Sequence, residues 1–221
     1  MIKRTALITG STGGIGKSIN SSLQENVNVI SPTRRELDLS SNSSIDDYIS
    51  SLDVPIDIIV NCAGIHKSGN CEDLTTHDFQ NILQINLIAP FQIISSLVKG
   101  MKERKYGRIL NISSIWSIVS KEKRSIYSAS KSGLDGLTRT LALELAPFNI
   151  LVNSIAPGYV DTKMIQMYNS EKELEKIKKI IPLGRFAKPS EIGDLTKFLC
   201  SEKNSYITGQ TISIDGGYLT K

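Results

Sequence analysis

Short apolar runs alternate with longer amphipathic stretches along this chain. Ala6–Thr9, Val27–Ile30, Asp57–Asn61, Arg108–Ser113, Ile150–Ile155 and Thr211–Ile214 read as strands, and a further short strand is expected over Glu36–Leu39. Several of them are apolar with almost no alternation, the pattern of a parallel sheet covered on both faces. Helical patterning covers roughly 14–25, 76–104, 126–146 and 189–201, with Thr75 or Thr76 placed to cap the second. Such alternation implies βαβ units. The expected fold class is α/β: a single doubly wound (Rossmann) domain over residues 1–221, with a mostly parallel seven-stranded sheet and helices on both faces.

Residues 159–188 break the rhythm. Their charged patch Glu171–Lys179 has one apolar stripe, Leu174, Ile177 and Ile181. It is a surface helix or a lid over a ligand. The lid is favoured because the segment leaves the C-terminal edge of the sheet, where such folds bind ligands. Met164, Met167 and Tyr168 would give that lid an adaptable apolar underside.

Composition narrows the classes. A chain of 221 residues fills one α/β domain and is short for two. The net charge of +4 is spread along the chain, without a basic run interleaved with aromatics, so a nucleic-acid surface is not expected. Three cysteines, none in a CxxC pair, argue against a disulfide framework, and with only His66 and His77 beside them no metal site is expected. The apolar run after Arg4 ends at Gly10, too short for a signal sequence. No stretch approaches the ~20 apolar residues of a membrane span. The expectation is a cytoplasmic protein that binds neither nucleic acid nor membrane.

The chemistry-bearing residues fall at strand ends. Thr9–Gly16, TGSTGGIG, follows the first strand and opens the first helix. Glycines there let the backbone turn tightly beside a pyrophosphate, and the helix N-terminus offers free N–H groups and a positive dipole end. Tyr127 and Lys131 lie at i and i+4 on a predicted helix and share a face. A nearby ammonium is expected to lower the phenol from ~10 toward the range useful for acid–base catalysis. Ser114 stands thirteen residues before Tyr127 at the end of a strand; Ser113 competes with it, and either could simply cap a turn. Asn86 is an amide in an apolar helical stretch, and read alone it is a satisfied core asparagine.

Together these motifs resemble the short-chain dehydrogenase/reductase family. The spacing TGxxxGxG is similar to its glycine turn; Asn61-Cys62-Ala63-Gly64 resembles its NNAG, with Cys62 replacing one Asn; Pro157–Thr162 resembles its PG motif; and Tyr206–Gly217 resembles its C-terminal strand and turn. The resemblance spans Thr9 to Gly217 and implies an oxidoreductase moving hydride between a nicotinamide dinucleotide and a carbonyl or alcohol. It implies catalytic roles for Ser114, favoured over Ser113 by the spacing, and for Tyr127, Lys131 and Asn86, the last supporting a water relay to the lysine. It places the cofactor on Gly10, Ser11, Thr12, Gly14, Ile15, Gly16, Asn61, Ala63, Gly64, Tyr127, Lys131, Pro157, Gly158, Val160 and Thr162, with Asp38 at the adenine.

NADP(H) is favoured over NAD(H). NAD-preferring relatives carry an acid about where Thr33 stands; here Arg34 and Arg35 follow, and a guanidinium suits a 2′-phosphate. Against this, Gly13 occupies a position that is often basic in NADP enzymes, and Glu36 lies at the interval of a ribose acid. The tail from Pro182 to Gly217 is similar to the 3-oxoacyl-[acyl-carrier-protein] reductase group, whose acidic carrier could dock on Arg104 and Lys105, although Phe148 stands where that group often has a basic residue. A sugar or another small ketone is the alternative substrate. The loop before Tyr127 offers Trp116, Lys121, Lys123 and Arg124 to an anionic or carrier-linked substrate, unless its cations simply face water. A non-catalytic dinucleotide-binding regulator or a purely structural subunit are the rivals, and neither needs the whole Asn86, Ser114, Tyr127, Lys131 set. The resemblance also implies a homo-oligomer, a tetramer or dimer, through the helices at 76–104 and 126–146.

Overall fold

The computed structural model describes residues 3–167 and 170–220. Its sheet contains β1 (Thr5–Thr9), β2 (Asn28–Ile30), β3 (Ile58–Asn61), β4 (Gly107–Ile112), β5 (Ile150–Pro157) and β6 (Thr211–Ile214). All pair in parallel, in the order β2-β1-β3-β4-β5-β6. Every residue of β1, β3, β4 and β5 is buried, because alternate side chains feed two separate cores. Leu7, Ile59, Ile109 and Val152 face α2 (Asn42–Ser50), α4 (Ala89–Arg104) and α5 (Ser125–Leu145), meeting Ile45, Ile93, Ile94 and Leu145. Ala6, Ile8, Val60, Leu110 and Ile155 face α1 (Gly14–Leu23) and α8 (Pro189–Leu199), meeting Ile19, Leu23, Ile192 and Leu199. This two-sided burial produces the continuous apolar runs in the sequence.

The sheet has six strands among the described residues, and the seventh, expected over Glu36–Leu39, does not form. The polar groups of that segment are satisfied locally. The Glu36 carboxylate accepts from the Thr33 N–H at 2.7 Å, the Leu37 N–H donates to the Thr33 carbonyl at 3.0 Å, and the Asp38 N–H donates to the Ser44 hydroxyl at 3.0 Å. No donor row is left for a ladder. Helix α2 follows at once. Its largely polar composition leaves little apolar signal in the sequence; Ser41 caps it, and Gln92 of α4 donates to the Asn42 carbonyl and to Asp46.

The long helix expected over 76–104 is α3 (Thr76–Leu83) and α4 joined by a wider turn at Gln84–Ile88, where the Ala89 N–H reaches back to the Gln84 carbonyl. Thr75 caps α3 with Asp78 in a reciprocal box. By length and composition the run Thr76–Arg104 would suit a membrane span, with a mean hydropathy of 1.4 in its most apolar window, and counting only uninterrupted apolar residues overlooked it. In the fold it buries Ile82, Ile85, Ala89, Ile93, Ile94 and Met101. After β5 the chain forms α6 (Lys163–Met167) and α7 (Glu171–Lys179), then bridges back through Val160 and Ala187. No residue of α7 is buried; of its stripe, only Ile181 beyond its end is. Met167 is 74% exposed, while Tyr168 and the side chain of Met164 lie outside what the structure describes.

Candidate active site

The C-terminal ends of β1, β3, β4 and β5 converge on one cleft, at the point where the strand order turns from β1 outward in both directions. The turn after β1 is built by close approach. Gly10 has left-handed backbone (φ 73°), and a Cβ there would stand 2.6 Å from the Ala63 Cα; a Cβ on Gly16 would stand 2.1 Å from the Gly10 carbonyl oxygen. The Thr9 hydroxyl accepts from the Cys62 and Ala63 N–H groups, both at 3.2 Å, so the turn and the Asn61–Gly64 segment are locked together. A Cβ on Gly14 would press Thr162 at 2.7 Å, which brings the Pro157–Thr162 segment to the same place. Ser11 is buried, Thr12, Gly13 and Gly14 are exposed, and Ile15 packs into the core beside α1. Gly158 is held by its N–H to the Ile214 carbonyl, Pro157 is buried at the end of β5, and Val160 turns its side chain into the core, leaving its backbone to the cleft.

These residues fit a dinucleotide. No side chain caps α1, whereas Ser41, Thr75 and Ser170 cap α2, α3 and α7, and no acidic residue sits in its first turn. The cradle in front of its N–H groups is lined by glycines, with nothing near a Gly13 Cβ except the Gly10 carbonyl at 3.5 Å. At the far end of β2, Arg34 and Arg35 are exposed and make no ion pair among the described residues. Arg34 acts electrostatically on Asp38, whose carboxylate is held down chiefly by the Ser40 N–H and hydroxyl.

On the other side of the cleft, Ser114 closes β4 and its hydroxyl accepts from the Trp116 N–H at 3.2 Å. The same hydroxyl lies within hydrogen-bonding reach of the Tyr127 phenol and lowers its pKa. The Ser113 hydroxyl is buried and has no hydrogen-bond partner among the described residues. The Lys131 amine is buried and donates to the Ile112 carbonyl at 2.7 Å, 5.9 Å from the centre of the Tyr127 ring. Burial pulls it down to about 8, with Cys62 and Asp135 opposing, while burial pushes the Cys62 thiol up to about 12. The phenol differs from its expectation. Burial raises Tyr127, and the groups opposing that are Ser114 and Arg124 rather than Lys131, whose amine is turned to the β4 carbonyl.

Asn86 sits in the wide turn, fully buried. Its Oδ1 accepts from the Ile65 N–H at 2.9 Å, and its Nδ2 donates to the Ile65 carbonyl at 2.9 Å and to the Ser130 hydroxyl at 3.1 Å. It is a satisfied core asparagine, as its residue type alone suggested, yet it is also next to the lysine: a Cβ on Gly64 would meet its Oδ1 at 3.3 Å and the Lys131 Nζ at 3.4 Å. Beneath them runs a chain missed in the sequence, Asn61 to Asn111 to Thr138 to Ser154, with links of 2.9, 2.9 and 2.8 Å. Its members lie far apart in sequence, and polar residues within apolar strands were its one visible signal.

Two expectations about the surroundings change. Arg104 is engaged in the fold, donating to the Ile56 carbonyl at 2.6 Å and to Asp57 at 3.3 Å, at the N-terminal end of the strands and away from the cleft. Trp116 is 9% exposed and packs edge-to-face on Tyr159 and Tyr218.

A family model described as enoyl-(acyl carrier protein) reductase matches residues 15–219. The chain belongs to the short-chain dehydrogenase/reductase family. An uncharacterized oxidoreductase of Bacillus subtilis (strain 168), YmfI, is 37% identical over 98% of this chain and 99% of its own. The 3-oxoacyl-[acyl-carrier-protein] reductase FabG of Aquifex aeolicus (strain VF5) is 38% identical, over 96% and 86% respectively. Among solved structures, a provisionally named gluconate dehydrogenase from Agrobacterium tumefaciens superposes with a TM-score of 0.93 at 31% identity, covering 99% of this chain and 96% of that one. A provisionally named NAD(P)-dependent gluconate 5-dehydrogenase from Beutenbergia cavernae, crystallised with NADP, gives 0.90 at 29% identity over 100% and 98%. As a short-chain dehydrogenase/reductase, this protein is an oxidoreductase acting on CH–OH groups with NAD(P) as hydride acceptor.

Proposed function

We propose that this chain is an NADP(H)-dependent reductase of a small carbonyl compound, working through Ser114, Tyr127, Lys131 and Asn86. The observation that carries the reading is the Ser114 hydroxyl against the Tyr127 phenol at the mouth of a glycine-lined cleft. Residues Gly10–Gly16, Asn61–Gly64 and Pro157–Thr162 would hold the cofactor, with Arg34 on the 2′-phosphate and Asp38 at the adenine. When bound, the nicotinamide supplies the hydride or receives it. Ser114 donates to the substrate carbonyl and polarises it. Tyr127 gives its proton to the carbonyl oxygen as the carbon is reduced, and takes it back in the reverse direction. Lys131, whose amine donates to the Ile112 carbonyl in the nucleotide-free protein, would hold a ribose hydroxyl of the cofactor and would there bring its charge nearer the phenol. Asn86, fixed by Ile65 and Ser130, holds the wall through which the proton is replaced.

NADP(H) over NAD(H) is supported by the two arginines beyond β2 and by Glu36, whose carboxylate is already engaged by the Thr33 N–H. A small substrate is favoured over a carrier-bound 3-oxoacyl thioester because Arg104, half of the basic pair for an acidic carrier, is engaged with Asp57. We take the segment 159–188 as the substrate lid of a single domain. We place the enzyme in the cytoplasm, in keeping with its three unbridged cysteines, and as a homo-oligomer, in keeping with the exposed Phe91, Leu143 and Tyr206.

The test is a titration with NADPH and NADH, followed by a carbonyl screen on the wild type and on Tyr127→Phe. Tighter NADPH binding and a variant that binds nucleotide but has lost turnover are expected. Appreciable turnover by the variant would overturn the role of Tyr127. Nucleotide binding without turnover on any carbonyl would favour a regulator.

A further inference from the structure

The cations in front of Tyr127 do not behave alike. Lys121 and Lys123 are exposed to water, whereas Arg124 is half-buried. Lys123 takes left-handed backbone (φ 65°), and its carbonyl accepts from the Gly69 N–H at 3.4 Å, pinning this segment to the loop after β3. Arg124 stands immediately ahead of α5, three residues before Tyr127. Its charge reaches His66, Tyr127 and Tyr159, which come from three different segments around the cleft; the His66 and Tyr127 rings meet edge-on at 6.0 Å.

No carboxylate pairs with Arg124 among the described residues, and Asp78, near the same loop, is already bound by Lys67 at 2.7 Å and by Thr75. A guanidinium that has given up part of its water and faces no carboxylate among the described residues is costly. A carboxylate in the cleft removes that cost through a two-pronged pair of charged hydrogen bonds. One guanidinium fork matches one carboxylate, while a phosphate of about −2 charge calls for more donors than Arg124 alone supplies. An aromatic cluster lies within reach of the same charge: the Trp116, Tyr159 and Tyr218 rings meet at 6.2, 6.0 and 5.8 Å between centres.

We infer that Arg124 anchors a substrate carboxylate, and that the substrate class is a small oxo acid, or the hydroxy acid it becomes, with the reacting carbon held at Ser114 and Tyr127. In reduction the carbonyl carbon gains hydride and the oxygen gains the Tyr127 proton, and the carboxylate is unchanged. The inference rests on the reading of Ser114 and Tyr127 given above.

The test compares straight-chain oxo acids of increasing length with their methyl esters, pairs that differ in charge and little else. One readout is the ratio of kcat/KM for acid over ester with NADPH. The other is equilibrium binding followed through Trp116, the chain's one tryptophan, in the NADP-bound enzyme. At the best chain length the wild type prefers the acid by about ten- to a hundredfold, the worth of a charged hydrogen bond. In Arg124→Met and Arg124→Gln that ratio falls toward one, mainly through KM, and Arg124→Lys recovers part of it. Turnover or binding of acid and ester alike by the wild type, or an unchanged ratio in both neutral variants, overturns the anchor and leaves the reductase reading standing. Absence of turnover on every acid and ester, in a protein that binds NADPH, overturns both.

Discussion

Replacing Lys131 with Met tests the electrostatics of the cleft independently of any substrate. The amine is 4% exposed, and burial brings it from its ordinary 10.5 to about 8. That displacement is worth about 3 kcal/mol against the charged form, at about 1.4 kcal/mol per tenfold. At neutral pH the folded protein therefore carries a protonated lysine where a neutral one is preferred. Between the two pKa values the unfolded chain holds a proton that the folded chain has released. Stability due to this group is fully present above 10.5, falls as pH drops through that window, and is lost below about 8. The Met variant has no such window. Cys62 and Cys200 act the other way, since burial raises both thiols to about 12, but they are common to both proteins.

Denaturant unfolding of the nucleotide-free wild type and variant, from about pH 6.5 to 9.5, gives the difference curve. The wild type gains on Lys131→Met by about 2 kcal/mol between about pH 8 and 9.5. Below pH 8 the curve is flat, with an offset set by two opposing effects, the removed cation and the Ile112 carbonyl left without its donor, the latter costing about 1–3 kcal/mol. A difference curve that stays flat across the whole range would show that the amine is solvated like a surface lysine, and the reasoning would fail. The same variant is expected to lose turnover, so its neutral-pH stability and its activity respond to different properties of one amine.

Two other substitutions probe the cofactor half of the cleft. Gly16→Ala places a methyl 2.1 Å from the Gly10 carbonyl oxygen, a backbone atom that cannot swing aside; a loss of about 1–3 kcal/mol or more in unfolding and a large loss of NADPH affinity are expected, and wild-type values for both would refute the packing argument. Arg34→Asp should move the ratio of NADPH to NADH dissociation constants by at least about tenfold toward NADH, since it removes the partner of a 2′-phosphate and supplies one for a ribose hydroxyl; an unchanged ratio assigns that contact elsewhere.

What could be read from the chain followed the range of the interactions. The glycine turn was legible because its reason is local: a strand, a turn and a helix start within eight residues, Thr9 to Gly16. The strands were legible because β1, β3, β4 and β5 are buried on both faces. Tyr127 and Lys131 were found as a pair by their spacing, but spacing on one helix face did not reveal that the lysine bonds to the end of β4 while Arg124 acts on the phenol. The strand expected at Glu36–Leu39 failed because its polar groups are satisfied locally, Thr33 by Glu36 and Asp38 by Ser40 and Ser44. Arg104 looked available for a carrier because the reading had no means of pairing it with Asp57, forty-seven residues away.

The wide turn at Gln84–Ile88 sets the rotational phase between two halves of what would otherwise be one rod. A regular helix advances about 100° per residue, so one residue more or fewer turns everything before it by that angle relative to everything after. Here the extra residue lets Ile82 on one side and Ile93 on the other both reach the core while Asn86 faces Ile65 and Ser130. Deleting one residue of the turn other than Asn86 would yield a straighter helix, yet would disengage the amide from the lysine's neighbourhood like a clutch. Point substitutions can drift across this segment one at a time, but its length is locked, because no gradual path leads from one phase to the next.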